Sequence, residues 1–222
     1  MKSIHHRWAG AAGLAIAIGV AGWSLAAGAP DRYALDAAHT SATFKIEHLG
    51  ISWISGRFND VSGTCAVDKA DPANCSFEVA IKATSIDTNN AQRDEHLRSD
   101  DFFNVKQFPE MTFKSTSVRK AATTQPAADG PATKPTQDDP KSAATPSDAV
   151  YEVTGDFTMH GMTKPVTFVL RGGKEAEFPK GTQRIGFFAE FALKRSDYGM
   201  GKLPGAVGDV VKITVSFEAT RQ

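Results

Sequence analysis

Arg93, Asp94, His96 and Arg98 crowd one short stretch of this 222-residue chain. Guanidinium groups suit phosphate or carbonyl oxygens. An imidazole beside them could move protons on a polar group bound there. The same side chains could equally fix their own segment to its neighbours by salt bridges and hydrogen bonds. Arg195 follows an apolar row and offers a fourth cation to the same chemistry. His39 and His48 read as hydrogen-bonded strand-end residues, and His160 as a solvated turn residue. Asp197-Tyr198-Gly199 and Asp209 read as turn residues. These histidines show no ligand spacing, so no metal site is expected. Nucleophile-elbow, metal and paired-carboxylate signatures are missing too, so no catalytic residue is assigned and the chain does not read as an enzyme. Cys65 and Cys75 flank a turn-rich stretch containing Asp71-Pro72. They predict a disulfide across a hairpin, which in the chain-entropy model contributes about 2–3 kcal/mol. Their spacing is not Cys-x-x-Cys, which disfavours redox or metal roles.

The segments that must carry these residues have a period of two. Phe44, Ile46 and His48 alternate with Thr43, Lys45 and Glu47, and Phe77, Val79 and Ile81 with Glu78, Ala80 and Lys82. Met111 and Phe113 begin another apolar row, followed by Tyr151, Val153, Phe157 and Met159. Val166, Phe168 and Leu170 form the next, then Ile185, Phe187, Phe191 and Leu193, then Val211, Ile213, Val215 and Phe217. A less regular strand over 56–67 carries a phase slip of the kind a bulge produces. This makes the chain all-β, with about eight antiparallel strands of one apolar face each. His160-Gly161 and 178–181 carry hairpin signals. One short helix, 91–98, is expected after the third strand, capped by Asn90. A further helical turn is expected over 51–55. Eight such strands hide their apolar faces in a closed barrel or between two stacked sheets. Eight of the 14 Phe lie on the apolar rows. Such rings either line a hollow for a long apolar molecule or simply fill the core.

Charge is balanced, 25 basic against 25 acidic residues, which argues against a nucleic-acid binder working through a basic field. Lys2 and Arg7 precede 23 uncharged residues, 8–30, with an apolar centre and small residues after it. This is the pattern of a signal peptide, assigned to 1–27, with an uncleaved anchor as the rival reading. The mature chain then carries a net charge of −2 and meets an oxidising periplasmic or extracellular compartment. Residues 121–149 contain eight Ala, five Pro and five Thr, with no Val, Ile, Leu, Met or aromatic residue. They read as a disordered insertion between two strands of a single domain spanning 30–222.

Ordered motifs now accumulate: Asp36-Ala37-Ala38-His39-Thr40-Ser41, Gly56-Arg57-Phe58 and Arg93-Asp94-Glu95-His96-Leu97-Arg98-Ser99-Asp100-Asp101-Phe102-Phe103. Residues 44–50, 85–88, 108–113, 155–158, 161–166, 195–199 and 207–211 continue the set in order. In these the chain resembles the YceI-like family of bacterial periplasmic lipid-binding proteins. The resemblance implies a lipocalin-like barrel around a small amphiphilic lipid, a polyprenyl or quinone-like molecule, with no other cofactor. It also suggests a homodimer and transient proximity to membrane. The apolar lining would come from Phe44, Ile46, Val79, Ile81, Phe113, Phe157, Phe168, Phe187, Phe191, Ile213 and Phe217. The head group would meet His39, Arg93, His96 and Arg195. The competing functions are an enzyme acting on a lipid head group and a stress-response interaction protein with a filled core. The 121–149 insertion and the two cysteines depart from the family pattern without touching its motif positions.

Overall fold

Strand β1 (Asp31–His48) is long enough to serve two partners along one edge. Its first residues pair antiparallel with β3 (Val61–Val67), Tyr33 opposite Cys65; its last pair with β2 (Ser52–Phe58), Ile46 opposite Ile54. The irregular strand expected over 56–67 is therefore β2 and β3, broken at Asn59 and Asp60. The computed structural model describes residues 28–121 and 149–222. The signal-peptide assignment at 1–27 and residues 122–148 of the insertion lie outside the described residues. Ala149, the last residue assigned to the insertion, begins β7 and pairs with Gly172.

After β4 (Ser76–Lys82) come the two-residue β5 (Ile86–Asp87), helix α1 (Ala91–Arg98) and β6 (Glu110–Lys120). Strands β7 (Ala149–Met159), β8 (Met162–Glu177), β9 (Gln183–Lys194) and β10 (Val207–Arg221) complete the chain. Neighbours run β10-β9-β8-β7-β6-β4-β3-β1, and β10 returns to pair with β1. Counting β2 and β3 as one bent stave, the result is a closed eight-strand antiparallel barrel. Closure removes the exposed edges that a two-sheet arrangement would leave. At the β8–β9 bulge the register shifts between Gly172 and Lys174. Gly172 and Gly173 take φ of 129° and 84° there, open to glycine and costly for other residues.

Residues 51–55 are not helical. Ile54, Gly56 and Phe58 turn inward and Trp53, Ser55 and Arg57 outward, so the alternation there is that of a strand. Helix α1 does form over 91–98, and the Asn90 side chain accepts from Arg93 N.

Two apolar clusters occupy the interior. Near the start of β1, Tyr33, Phe77, Tyr151, Val153, Ile185, Phe187 and Phe217 are buried together. Phe187 meets Phe77 and Phe217 at ring-centroid distances of 5.4 Å each. The second cluster, Met111, Met159, Tyr198 and Met200, lies toward the other end.

The expected disulfide is not formed. Both thiols are free and buried in the first cluster. Pairing of β3 with β4 sets Phe77, not Cys75, opposite Cys65. Cys75 Sγ instead accepts from Asp68 N at 3.3 Å. The Asp68 carboxylate organises the connection by accepting from Ala70 N, Asp71 N and Asn74 Nδ2 at 2.8–3.0 Å. Burial pushes the Cys65 thiol up to about 12, so it behaves as a small core apolar group.

Candidate functional site

The barrel end opposite the first cluster holds a cavity of about 560 Å³, within the size range of small-molecule sites. Phe44 and Ile46 on β1, Ile54 on β2 and Val211 on β10 form its inner wall. Leu97, Phe102 and Phe103 cover one side of the mouth, and Met200 and Leu203 the other. Arg93 and His96 stand on the rim with Thr88, Asn90 and Gln92. The site is thus a hollow with an apolar inner wall, bordered also by Glu47, His48 and Arg195.

Helix α1 (AQRDEHLR) has little apolar surface and is positioned by polar contacts. Asp94, buried, accepts from Thr88 N at 2.9 Å and from the Thr88 hydroxyl. Arg93 donates from Nε to Thr88 Oγ1 and from Nη2 to Thr88 O, both at 2.7 Å. Arg98 donates to the carbonyls of Thr84 at 2.9 Å and Ile86 at 2.6 Å. These bonds tie the helix to the strand segment before it.

The four head-group candidates part company here. Arg93 spends two of its five N–H groups on Thr88, and the others have no hydrogen-bond partner among the described residues. His96 donates from Nε2 to Asp101 at 3.0 Å and stands edge-on to Phe102. Asp101 also accepts from Lys202 Nζ at 2.8 Å, so one carboxylate links the two sides of the mouth. The Lys202 ammonium, and then the His96 imidazole, hold that carboxyl below its usual range.

Arg195 also borders the cavity, but four of its five N–H groups are engaged by backbone. It is 6% exposed. Its guanidinium donates to the carbonyls of Gly208 at 2.8 Å, Lys202 at 2.8 Å, Val207 at 2.9 Å, and Met200. Burial lowers its pKa from the ordinary arginine value. Arg195 pins the 200–208 segment through these bonds. His39 is not on the cavity lining and sits in the irregular 36–39 stretch of β1. There it pairs with Asp36 at 2.8 Å, and Asp36 also accepts from Arg184 Nη1 at 2.6 Å. His48 lies on the cavity lining. His160 is half-buried rather than solvated, donating to Tyr198 O at 3.0 Å and packing on Phe108.

Of the eleven apolar candidates, Phe44 and Ile46 line the cavity. Phe187 and Phe217 belong to the first cluster, and Phe113, Phe168 and Phe191 pack against it, the last two stacked at 4.9 Å. Ile81 and Phe157 pack on the second cluster. Val79 pairs with Phe113, and Ile213 lies between Phe44 and Phe191. Sequence reasoning passed over Leu97, Phe102, Phe103, Met200 and Leu203. They lie in segments without period-two alternation; Phe102-Phe103 directly after a capped helix was the available signal. Among the described residues no three His, Cys, Asp or Glu side chains converge as a metal site would need.

Residues 33–219 match the family model described as a YceI-like domain. Protein YceI of Escherichia coli is 38% identical over 184 residues, 83% of each chain. Among solved structures, Burkholderia cenocepacia BcnA aligns with a TM-score of 0.63 at 23% identity, over 84% of this chain and 99% of its own. A polyisoprenoid binding domain from Saccharophagus degradans aligns with a TM-score of 0.59 at 16% identity, over 86% and 98%. At these identities the two structures speak for the fold.

Proposed function

The chain belongs to the YceI-like family, and we propose on that footing that it is a non-catalytic, exported binding protein for an isoprenoid-type amphiphile, polyprenyl or quinone-like. The observation that carries this reading is the apolar cavity with the free Arg93 donors at its rim. A prenyl tail burying on the order of 300 Å² gains about 7–8 kcal/mol at 25 cal/mol per Å². Ordering the tail and losing its free translation take back part of that gain. Arg93 and His96 supply donors for phosphate or carbonyl oxygens where the tail emerges. In the same reading 1–27 is the export signal, the compartment is the periplasm or the exterior, and the chain forms a homodimer.

Native mass spectrometry of the protein purified without detergent tests the reading. A co-purified mass of lipid size is expected, exchangeable for a polyprenyl phosphate or a quinone. A guest-free protein that ignores both probes overturns it.

A further inference from the structure

Four apolar side chains project around the cavity mouth where folding alone would not put them. The β1–β2 turn, closed by Ile51 N donating to His48 O at 3.2 Å, has Leu49 and Gly50 at its centre with φ of 55° and 70°. Asn-Gly suits such a turn, whereas leucine is disfavoured in left-handed backbone. Leu203, in the β9–β10 connection, is also left-handed, with φ of 58°. Burial does not repay either residue, since Leu49 is 54% and Leu203 41% exposed. Ile51 beside the turn is 83% exposed and Trp53 49%. The two projections are tied together by Leu49 N donating to Ala206 O at 2.8 Å.

The adjoining outer face carries Lys45 and Lys212 beside Glu47 and Glu190, and its two lysines form no ion pair among the described residues. Lys45 stands directly opposite Lys212 across β1 and β10, a like-charge pair that disfavours its own sheet. Neither has a carboxylate within 4.0 Å among the described residues, although Glu47 lies on the same face. Lys212 Nζ lies 4.8 Å over the Trp53 ring. Apolar tips, one indole and unpaired lysines match the boundary of an anionic bilayer, where apolar side chains enter and ammonium groups meet phosphate. A two-fold pairing of copies through this face would instead repeat the same unpaired lysines on both sides.

We propose that this face docks the open end of the barrel on an anionic phospholipid bilayer. Leu49, Ile51 and Leu203 enter the headgroup region, and Lys45 and Lys212 contact lipid phosphates. The cavity mouth, lined by Leu203 and by Ile54 of the same hairpin, is thereby turned toward the membrane. The purpose of docking rests on the carrier reading above, but the docking itself can be tested apart from it.

The test is vesicle co-sedimentation of the exported chain with phosphatidylglycerol/phosphatidylethanolamine and with phosphatidylcholine vesicles. The variants are Leu49→Asn/Ile51→Ser/Leu203→Asn, in which asparagine tolerates the left-handed backbone, and Lys45→Ser/Lys212→Ser. Sedimentation with the anionic vesicles is expected for the unaltered chain, at least tenfold weaker for the apolar variant. The lysine variant should lose the preference for phosphatidylglycerol and the sensitivity to salt. With 1–27 removed, Trp53 is the one tryptophan of the exported chain, and its fluorescence should be quenched by brominated lipid. Equal sedimentation of unaltered chain and apolar variant, with Trp53 unquenched, overturns the proposal. So does a dimer that the variants dissociate, without vesicle binding. Guest content, measured by lipid extraction, should survive Leu49→Asn/Ile51→Ser, the two changes that lie outside the cavity lining. A chain that docks yet never carries a guest sinks the carrier reading and leaves docking standing.

Discussion

The two ends of the barrel use similar apolar strand rows for opposite results. At the closed end, Phe77, Tyr151, Phe187 and Phe217 meet inside the barrel. At the open end, Phe44 and Ile46 have the same inward alternation but face a space of about 560 Å³. The difference lies in what crosses the axis. Large rings from facing strands fill the closed end. The open end is roofed by α1 and the 195–206 segment, held by polar bonds that fix their height above the wall. An apolar strand face therefore says that a residue points inward; the roof decides whether it meets another side chain or a guest.

The largest expected effect breaks the closed end. Phe187→Ala removes a ring in contact with three others. It should cost about 3–5 kcal/mol of stability, read as a lowered urea midpoint. Guest bound per folded molecule should be little changed. If guest binding falls as much as stability, the ends are not separable.

Arg195→Met attacks the roof. It leaves four carbonyl acceptors of the 200–208 segment without their buried donor. A loss of about 3 kcal/mol is expected, together with faster hydrogen exchange confined to that segment. Arg93→Gln, by contrast, sits on the rim. It should weaken retention of a phosphate-headed guest about fivefold, an effect of about 1 kcal/mol, and shift the urea midpoint less than Arg195→Met does. An Arg195 variant that merely weakens head-group binding would reverse the roles given to these two arginines.

That pair shows where reading the sequence succeeds and fails. The strands were legible because each has one wet face, which imposes a period of two. Helix α1 was legible because Asn90 supplies a local cap. The contacts of Arg93 and Arg195 were not, because the acceptors that hold Arg195 are backbone carbonyls of the 200–208 segment, with no signature in residue types. The same holds for Phe44 against Phe187: both alternate correctly, and only closure of β10 on β1 sets which ring has a facing partner. Cys65 and Cys75 flank a hairpin as expected, yet the β3–β4 register, invisible in their spacing, puts Phe77 opposite Cys65. His39 and His48 share one strand, but His39 sits in its irregular 36–39 stretch, with the paired residues 40–46 between them.

The smallest predicted effect concerns timing at the two ends as pH falls. Asp36, away from the mouth, is held at about 2 by Arg184 first and then His39. Asp101, across the mouth, is held below its usual range by Lys202 first and then His96. Both carboxyls have depressed folded-state values, so their contributions are complete above the ordinary aspartate range near pH 4. Each is lost as pH falls through its folded value. Guest release followed by stopped-flow should be slow and flat from pH 7 to pH 5. It should accelerate a fewfold below pH 4 as Asp101 takes up a proton and the two sides of the mouth part. Asp101→Asn should release at the faster rate throughout and flatten the profile, because the amide cannot hold Lys202 by charge. Asp36→Asn should leave release at pH 7 unchanged while lowering stability. Identical release profiles for the unaltered chain and the Asp101 variant would mean that the carboxylate does not control the entrance, leaving the apolar roof contacts of Phe103 and Met200 as its closure.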